Sequence, residues 1–153
     1  VSRTLDYLRG ASDGNDRLRV KLRAFAALAE SLADLSTCRR RRVGCVAVTA
    51  DLTSVAAVGY NGPPAGLPND SCREREGRCG CAHGEASALC KPRLPRTDLV
   101  LIVTTSPCES CAGLILNSGS VLAVLYRDEY RLTDGLDVLR AGGVVTARWE
   151  NKL

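Results

Sequence analysis

The chain has 153 residues, of which 45% are apolar, 25% charged and 4% aromatic, a composition that excludes disordered and fibrous classes and suits one globular domain with its own core. Its 21 basic and 17 acidic residues leave a formal charge of +4, too small a surplus to demand a polyanionic partner. No apolar run approaches the roughly 20 residues that span a bilayer, and the opening VSRTLDYLRG lacks the apolar core of an export signal, so the expectation is a cytoplasmic protein with no membrane partner.

Residues 1 to 15, with Gly10 and Gly14 among Ser, Asp and Asn, read as an N-terminal extension holding at most a short helix from Arg3 to Arg9. Residues 16 to 153 form the domain proper. From Asp16 to Leu35 the apolar positions Leu18, Leu22, Phe25, Ala26, Leu28, Ala29, Leu32 and Leu35 recur at helical spacing, which predicts an amphipathic helix. Val43 to Thr49 and Thr53 to Tyr60 read as the two strands of a hairpin. The segment 61 to 82 holds four Gly and three Pro and has no period, so it is a long loop, and long loops inside compact domains are usually functional. Gly84 to Lys91 is a short helix stopped by Pro92. Leu99 to Thr105 is a continuous apolar run suited to a central strand. Ser106-Pro107 opens another helix, with serine as its cap and proline in its first turn, running to about Asn117. Val121 to Tyr126 is a strand, Asp134 to Ala141 a helix ended by Gly142-Gly143, and Val144 to Trp149 a last strand. The order αββαβαβαβ predicts an α/β protein: a mixed five-stranded sheet, antiparallel at the hairpin and parallel after it, in three α/β/α layers with helices on both faces.

The chain's eight cysteines are many for its length. Without an export signal they point to metal ligation or catalysis rather than disulfides. The single histidine, His83, starts one predicted helix, and Cys108 and Cys111, three apart, start the next. Two sulfurs at that spacing project from one helical face, and a helix N-terminus favours the thiolate form. One imidazole and two thiolates leave a zinc ion an open fourth position, the mark of a catalytic rather than a structural site. Such an ion lowers the pKa of bound water toward about 7. Glu85, two residues past His83, is placed to reach that water without joining the metal. His-x-Glu alone arises by chance in many chains, and Cys-x-x-Cys alone describes a redox pair; a redox pair and a closed structural zinc remain the alternatives. The run Arg39-Arg40-Arg41-Arg42 is either a solvated turn or a phosphate cradle.

With CAHGE at 81 to 85 and PCESC at 107 to 111, the chain resembles the zinc-dependent cytidine and deoxycytidylate deaminases, whose signature is H-x-E…P-C-x-x-C. The resemblance covers roughly residues 16 to 149. GYNGPPAG at 59 to 66 and CRRRRVG at 38 to 44 are similar to segments of the deoxycytidylate (dCMP) branch. The resemblance implies a cytidine deaminase-like fold for residues 16 to 153, with zinc at His83, Cys108 and Cys111, and hydrolytic conversion of dCMP to dUMP and ammonia in support of dTMP supply. Glu85 would shuttle the proton. Asn61 would bind the sugar hydroxyl, the backbone at Ala82 and Ser106 would read the ring, and Arg39, Arg41 and Tyr130 would lie at the phosphate end. It further implies a homohexamer with dCTP and dTTP as effectors, and a possible second zinc on Cys38, Cys72, Cys79 and Cys81. Two departures stand out: Gly84 where the family has alanine, and Cys45 likewise. Cys45 and Cys90 read as small buried hydrophobes. Modified dCMP, cytidine, or a base in tRNA or single-stranded DNA are the competing substrates, and a non-catalytic zinc-stabilised module the competing class. The low aromatic content and small net charge argue against nucleic acid.

Overall fold

The computed structural model describes residues 1–10, 16–75, 79–91 and 97–152. Its elements are α1 (Ser2–Arg9), α2 (Asp16–Ala33), β1 (Gly44–Thr49), β2 (Val55–Tyr60), α3 (Gly84–Leu89), β3 (Leu99–Thr105), α4 (Glu109–Ser118), β4 (Val121–Asp128), α5 (Asp134–Ala141) and β5 (Val145–Arg148), with a 3₁₀ turn at Trp149–Asn151. The sheet order is β2-β1-β3-β4-β5. β1 pairs antiparallel with both β2 and β3, whereas β3–β4 and β4–β5 are parallel. The mixed five-stranded sheet expected from the αβ alternation is therefore present.

Side-chain alternation divides the core in two. On one face Val46, Val48, Val100, Ile102, Ala123 and Leu125 pack under α2 through Leu18, Leu22, Ala26 and Ala29. On the other, Cys45, Ala47, Leu101, Val103, Val124 and Tyr126 pack under Ala88 of α3, Ala112 and Ile115 of α4, and Leu136 and Leu139 of α5. All seven residues of β3 are buried, as its unbroken apolar run requires; each large aliphatic side chain so buried contributes about 1.5–3 kcal/mol.

The N-terminal segment places α1 against the first of these cores. Leu8 is buried, the Tyr7 hydroxyl donates to the Lys152 carbonyl at 2.8 Å, and Lys152 Nζ donates to the Tyr7 carbonyl at 2.6 Å. Residues 11–15 of the expected extension, and Pro92, the expected stop of α3, lie outside the described residues.

Two local expectations change. α3 ends at Leu89, with Cys90 as its C-cap and exposed, so Cys90 has no helical face to bury; Cys45 is fully buried as expected. α4 is capped by Cys108 rather than Ser106. The Ser106 hydroxyl instead accepts the Tyr130 N–H at 2.7 Å.

Candidate metal centre and substrate cavity

The helices that carry the signature residues share one face of the sheet. α3 and α4 pack against each other and start beside the carboxyl end of β3, where the strand pairs antiparallel on one side and parallel on the other. Crevices of this kind, outside the carboxyl ends of strands, are where open α/β sheets bind ligands.

His83 is the extended N-cap residue of α3, and Cys108 that of α4. Cys111 lies in the first turn of α4, buried. His83 Nδ1 is 3.4 Å from Cys108 Sγ and 3.4 Å from Cys111 Sγ, and the three donor atoms all lie within 4.8 Å of one another. A tetrahedral zinc with Zn–N near 2.1 Å and Zn–S near 2.3 Å sets nitrogen and sulfur about 3.6 Å apart. The donor set therefore fits zinc, with Nδ1 as the imidazole ligand.

The charges agree with that use. Cys108 is held down to about 4, first by the hydrogen bond from Cys111 and then by His83. The Cys111 thiol is pushed up as that donor, and His83 is raised to about 8 beside the Cys108 thiolate. The donor arrangement thus favours the thiolate form of Cys108. Glu85 is buried, and desolvation raises its carboxyl to about 6. It is not a member of the three-donor cluster.

A cavity of about 220 Å³ opens over this centre, lined by His83, Glu85, Cys108, Asn61, Ser106 and Thr105, and at its mouth by Arg40, Arg41, Tyr130 and Arg131. The structure brings together most of the residues singled out from sequence, but gives several of them other work. Asn61 Oδ1 accepts from Val43 N at 2.7 Å and lies 2.7 Å from the Ser36 hydroxyl, while Nδ2 donates to the Arg41 carbonyl at 2.6 Å. Ala82 exchanges both backbone bonds with Gly62, at 2.8 and 3.2 Å. Ser106 donates its N–H to the Asp128 carbonyl at 2.8 Å. Arg39 stands outside the cavity lining, its guanidinium 2.7 Å from Glu74. Arg41 and Arg131 flank the Tyr130 ring, 6.0 and 5.9 Å from its centroid.

Arg131 and Thr105 carry no signal of their own in the sequence, whereas Arg40 enters the cavity lining as a member of the Arg39–Arg42 run. Thr105 ends an apolar strand and carries no motif. Arg131 follows Tyr130 in a turn without periodicity, and adjacency to Tyr130 was the available signal.

Cys38, Cys72, Cys79 and Cys81 form a second cluster with all sulfurs within 4.8 Å, Cys38 and Cys72 4.0 Å apart. Ideal all-thiolate zinc separates its sulfurs by about 3.8 Å. The short Cys79-x-Cys81 spacing works because Gly80 takes φ 81°, a left-handed turn that glycine enters without strain. Backbone N–H groups of Glu74 and Arg39 hold the Cys72 thiol down to about 7.

Fold and donor set together describe an α/β/α protein with a three-donor His/Cys cluster that fits zinc at paired helix N-termini. The profile described as "Cytidine and deoxycytidylate deaminase zinc-binding region" matches residues 19–127. The chain belongs to that family. It is 33% identical over 138 residues to deoxycytidylate deaminase of Saccharomyces cerevisiae, covering 82% of this chain and 43% of the yeast protein. It is 36% identical over 123 residues to deoxycytidylate deaminase of Mycobacterium phage D29, covering 69% of this chain and 92% of the phage protein. The crystal structure of dCMP deaminase from cyanophage S-TIM5 in complex with dCMP and dUMP superposes with a TM-score of 0.73 at 34% identity, over 82% of this chain and 94% of that one. The chain spans less than half the length of the Saccharomyces cerevisiae protein and of deoxycytidylate deaminase of Schizosaccharomyces pombe, to which it is 33% identical over 135 residues.

Proposed function

We propose that the protein hydrolyses dCMP to dUMP and ammonia. The observation that carries the reading is Glu85: a carboxylate buried to 4% exposure beside a three-ligand zinc centre whose cluster it does not join. A closed structural zinc has no use for such a group. Zinc held by His83, Cys108 and Cys111 supplies Lewis acidity and brings water toward ionisation at neutral pH.

Glu85 accepts a proton from the attacking water and delivers it to ring N3 as the C4–O bond forms. It then carries the remaining hydroxyl proton to the exocyclic nitrogen as the C4–N bond breaks, so that ammonia leaves and C4 becomes a carbonyl. Desolvation, which raises the Glu85 carboxyl, favours a group that must hold a proton between these steps. Ser106 offers its carbonyl to the amine, since its N–H and hydroxyl are committed to Asp128 and Tyr130. Asn61 keeps one Nδ2–H for the sugar. Ala82 acts by fixing Gly62 and the chain into His83. Arg41, Tyr130 and Arg131 form the phosphate end, with Arg39, tied to Glu74, contributing only its field.

The substrate class rests on these mouth cations and on similarity to the yeast and phage enzymes and to the cyanophage protein crystallised with dCMP and dUMP. The reading extends to a second zinc on Cys38, Cys72, Cys79 and Cys81, to a cytoplasmic homohexamer responsive to dCTP and dTTP, and to residues 16–153 as the catalytic domain preceded by an extension. No helix among the described residues is long and apolar enough to cross a membrane.

Ammonia release from dCMP, dCTP, cytidine and a cytosine-containing oligonucleotide, for wild type and Glu85→Ala, tests the proposal. Turnover of dCMP abolished by Glu85→Ala is expected. Turnover confined to the oligonucleotide would overturn the substrate, and full activity of Glu85→Ala the mechanism.

A further inference from the structure

α5 begins Thr133-Asp134-Gly135-Leu136. Glycine is the poorest helix former after proline, and here it occupies the second helical position, where nothing in the turn demands it: its φ is not left-handed, and Asp137 N–H closes the helical bond onto the Thr133 carbonyl at 3.4 Å. The reason lies across the interface. A Cβ at Gly135 would stand 2.1 Å from the Pro107 carbonyl oxygen, 2.7 Å from the Cys108 carbonyl carbon and 2.9 Å from the Cys108 oxygen. The obstacle is backbone on all three counts, so no side-chain rotation relieves it.

The peptide that Gly135 touches is the one that sets a zinc ligand. The Cys108 carbonyl accepts the first hydrogen bond of α4, from Ala112 N–H at 2.8 Å, and the Cys108 sulfur stands 3.4 Å from His83 Nδ1. From Gly135, α5 runs on into buried Leu136 and Leu139, packed in the same core as Ala112 and Ile115 of α4. We infer that Gly135 is a positioning residue for the zinc centre, its missing side chain letting α5 press the Pro107–Cys108 peptide into the orientation that aims Cys108 at the ion. The inference rests on the assignment of His83, Cys108 and Cys111 as ligands. A methyl group there must open the contact by roughly 1 Å to reach ordinary carbon–oxygen separation, several times the ±0.2 Å that metal–ligand distances tolerate. α5 is held by two buried leucines, so the peptide yields.

The test compares Gly135→Ala with Gly113→Ala. Gly113 sits on α4, where a Cβ meets nothing within 4 Å, so it receives the same helix-favouring substitution without the contact. Zinc release to a chromophoric chelator and thermal unfolding are followed for both and for Cys108→Ser. Expected is release at least tenfold faster from Gly135→Ala than from wild type, approaching the Cys108→Ser rate for one zinc per chain, with Gly113→Ala at the wild-type rate. Wild-type zinc retention in Gly135→Ala, with Cys108→Ser losing the ion, would overturn this inference alone. If Cys108→Ser also keeps its full zinc, the ligand assignment falls and the inference with it. Should Gly135→Ala not accumulate folded, coupling is read in reverse on the wild-type chain: removing zinc must speed amide exchange at Leu136 and Asp137, and unchanged exchange there overturns the role.

Discussion

Glu85 and Asn61 are both buried polar side chains in the cavity wall, but they stand in different settings. Glu85 carries a carboxyl that burial raises to about 6, and the proposed reaction assigns it the proton transfer. Glu85→Gln preserves its shape and removes its proton transfer, so kcat should fall by about 10²–10⁴, with zinc content and thermal stability unchanged. A loss under tenfold in single-turnover assays would leave the carboxylate without its role. Asn61 is first a clamp. Its side chain bonds Val43 N and the Arg41 carbonyl and meets the Ser36 hydroxyl, and so holds the turn from 36 to 43 that presents Cys38 and Arg41. Asn61→Ala leaves a buried N–H and a carbonyl unpaired, at a cost of about 1–3 kcal/mol in urea unfolding, together with a raised KM. Activity lost without any loss of stability would show that the sugar contact, not the clamp, dominates.

At the scale of elements, the site depends on how closely α3 approaches the sheet. Gly59 of β2 permits that approach: a Cβ there would stand 2.2 Å from the Gly84 carbonyl and 2.5 Å from Ala88 N. Gly59→Ala should displace the helix carrying His83 and Glu85, costing about 1–3 kcal/mol in stability and lowering kcat. Equal stability in equilibrium denaturation would mean that α3 has room the packing denies it. The strands and helices themselves were legible in the sequence, because β3 is apolar throughout and α2 keeps helical period. The His83, Cys108 and Cys111 set was legible because its spacing follows the strand between two helix starts. Contacts between loops were not. Ser106 looks like a helix cap in sequence, yet its hydroxyl accepts from Tyr130 N–H, a residue 24 positions away, and no local pattern encodes that pairing. The Arg run shows the same limit: four identical neighbours give no sign that Arg41 lines the cavity while Arg39 pairs with Glu74. The Ser106 bond ties the end of β3, proposed to read the ring, to the Tyr130 turn, proposed to hold the phosphate. Ser106→Ala should therefore raise KM for dCMP by roughly fivefold, the equivalent of about 1 kcal/mol for one hydrogen bond, and leave turnover of deoxycytidine, which has no phosphate, nearly unchanged. An equal effect on both substrates would place the bond's influence on the ring instead.

For the whole molecule, the two cysteine-bearing clusters share a wall. Cys38, Cys79 and Cys81 line the same cavity as His83 and Cys108, and only Ala82 separates Cys81 from the imidazole ligand. With the proposed second zinc bound, four thiolates around it would carry a net charge of about −2, which would oppose an anionic substrate. The arginines that follow Cys38 would offset it locally: Arg40 and Arg41 line the cavity, and Arg39 ties its turn to Glu74 on the facing loop, while Arg40 donates to the Arg75 carbonyl at 3.1 Å. Cys72 is the one cysteine of the four that does not line the cavity, so its removal tests the second ion without touching substrate. Cys72→Ser should lower zinc from two ions per chain to one and lower Tm by about 5 °C or more, because loop ordering by a structural ion contributes several kcal/mol and each shifts Tm by a few degrees at this size. The chelator-resistant fraction should shrink by the same single ion, since the remaining three sulfurs lose the closed tetrahedron. One zinc per chain in both proteins would show that the loop from 61 to 82 is held by its backbone bonds, Arg73 N to the Cys79 carbonyl at 2.9 Å and the Gly62–Ala82 pair, rather than by a metal.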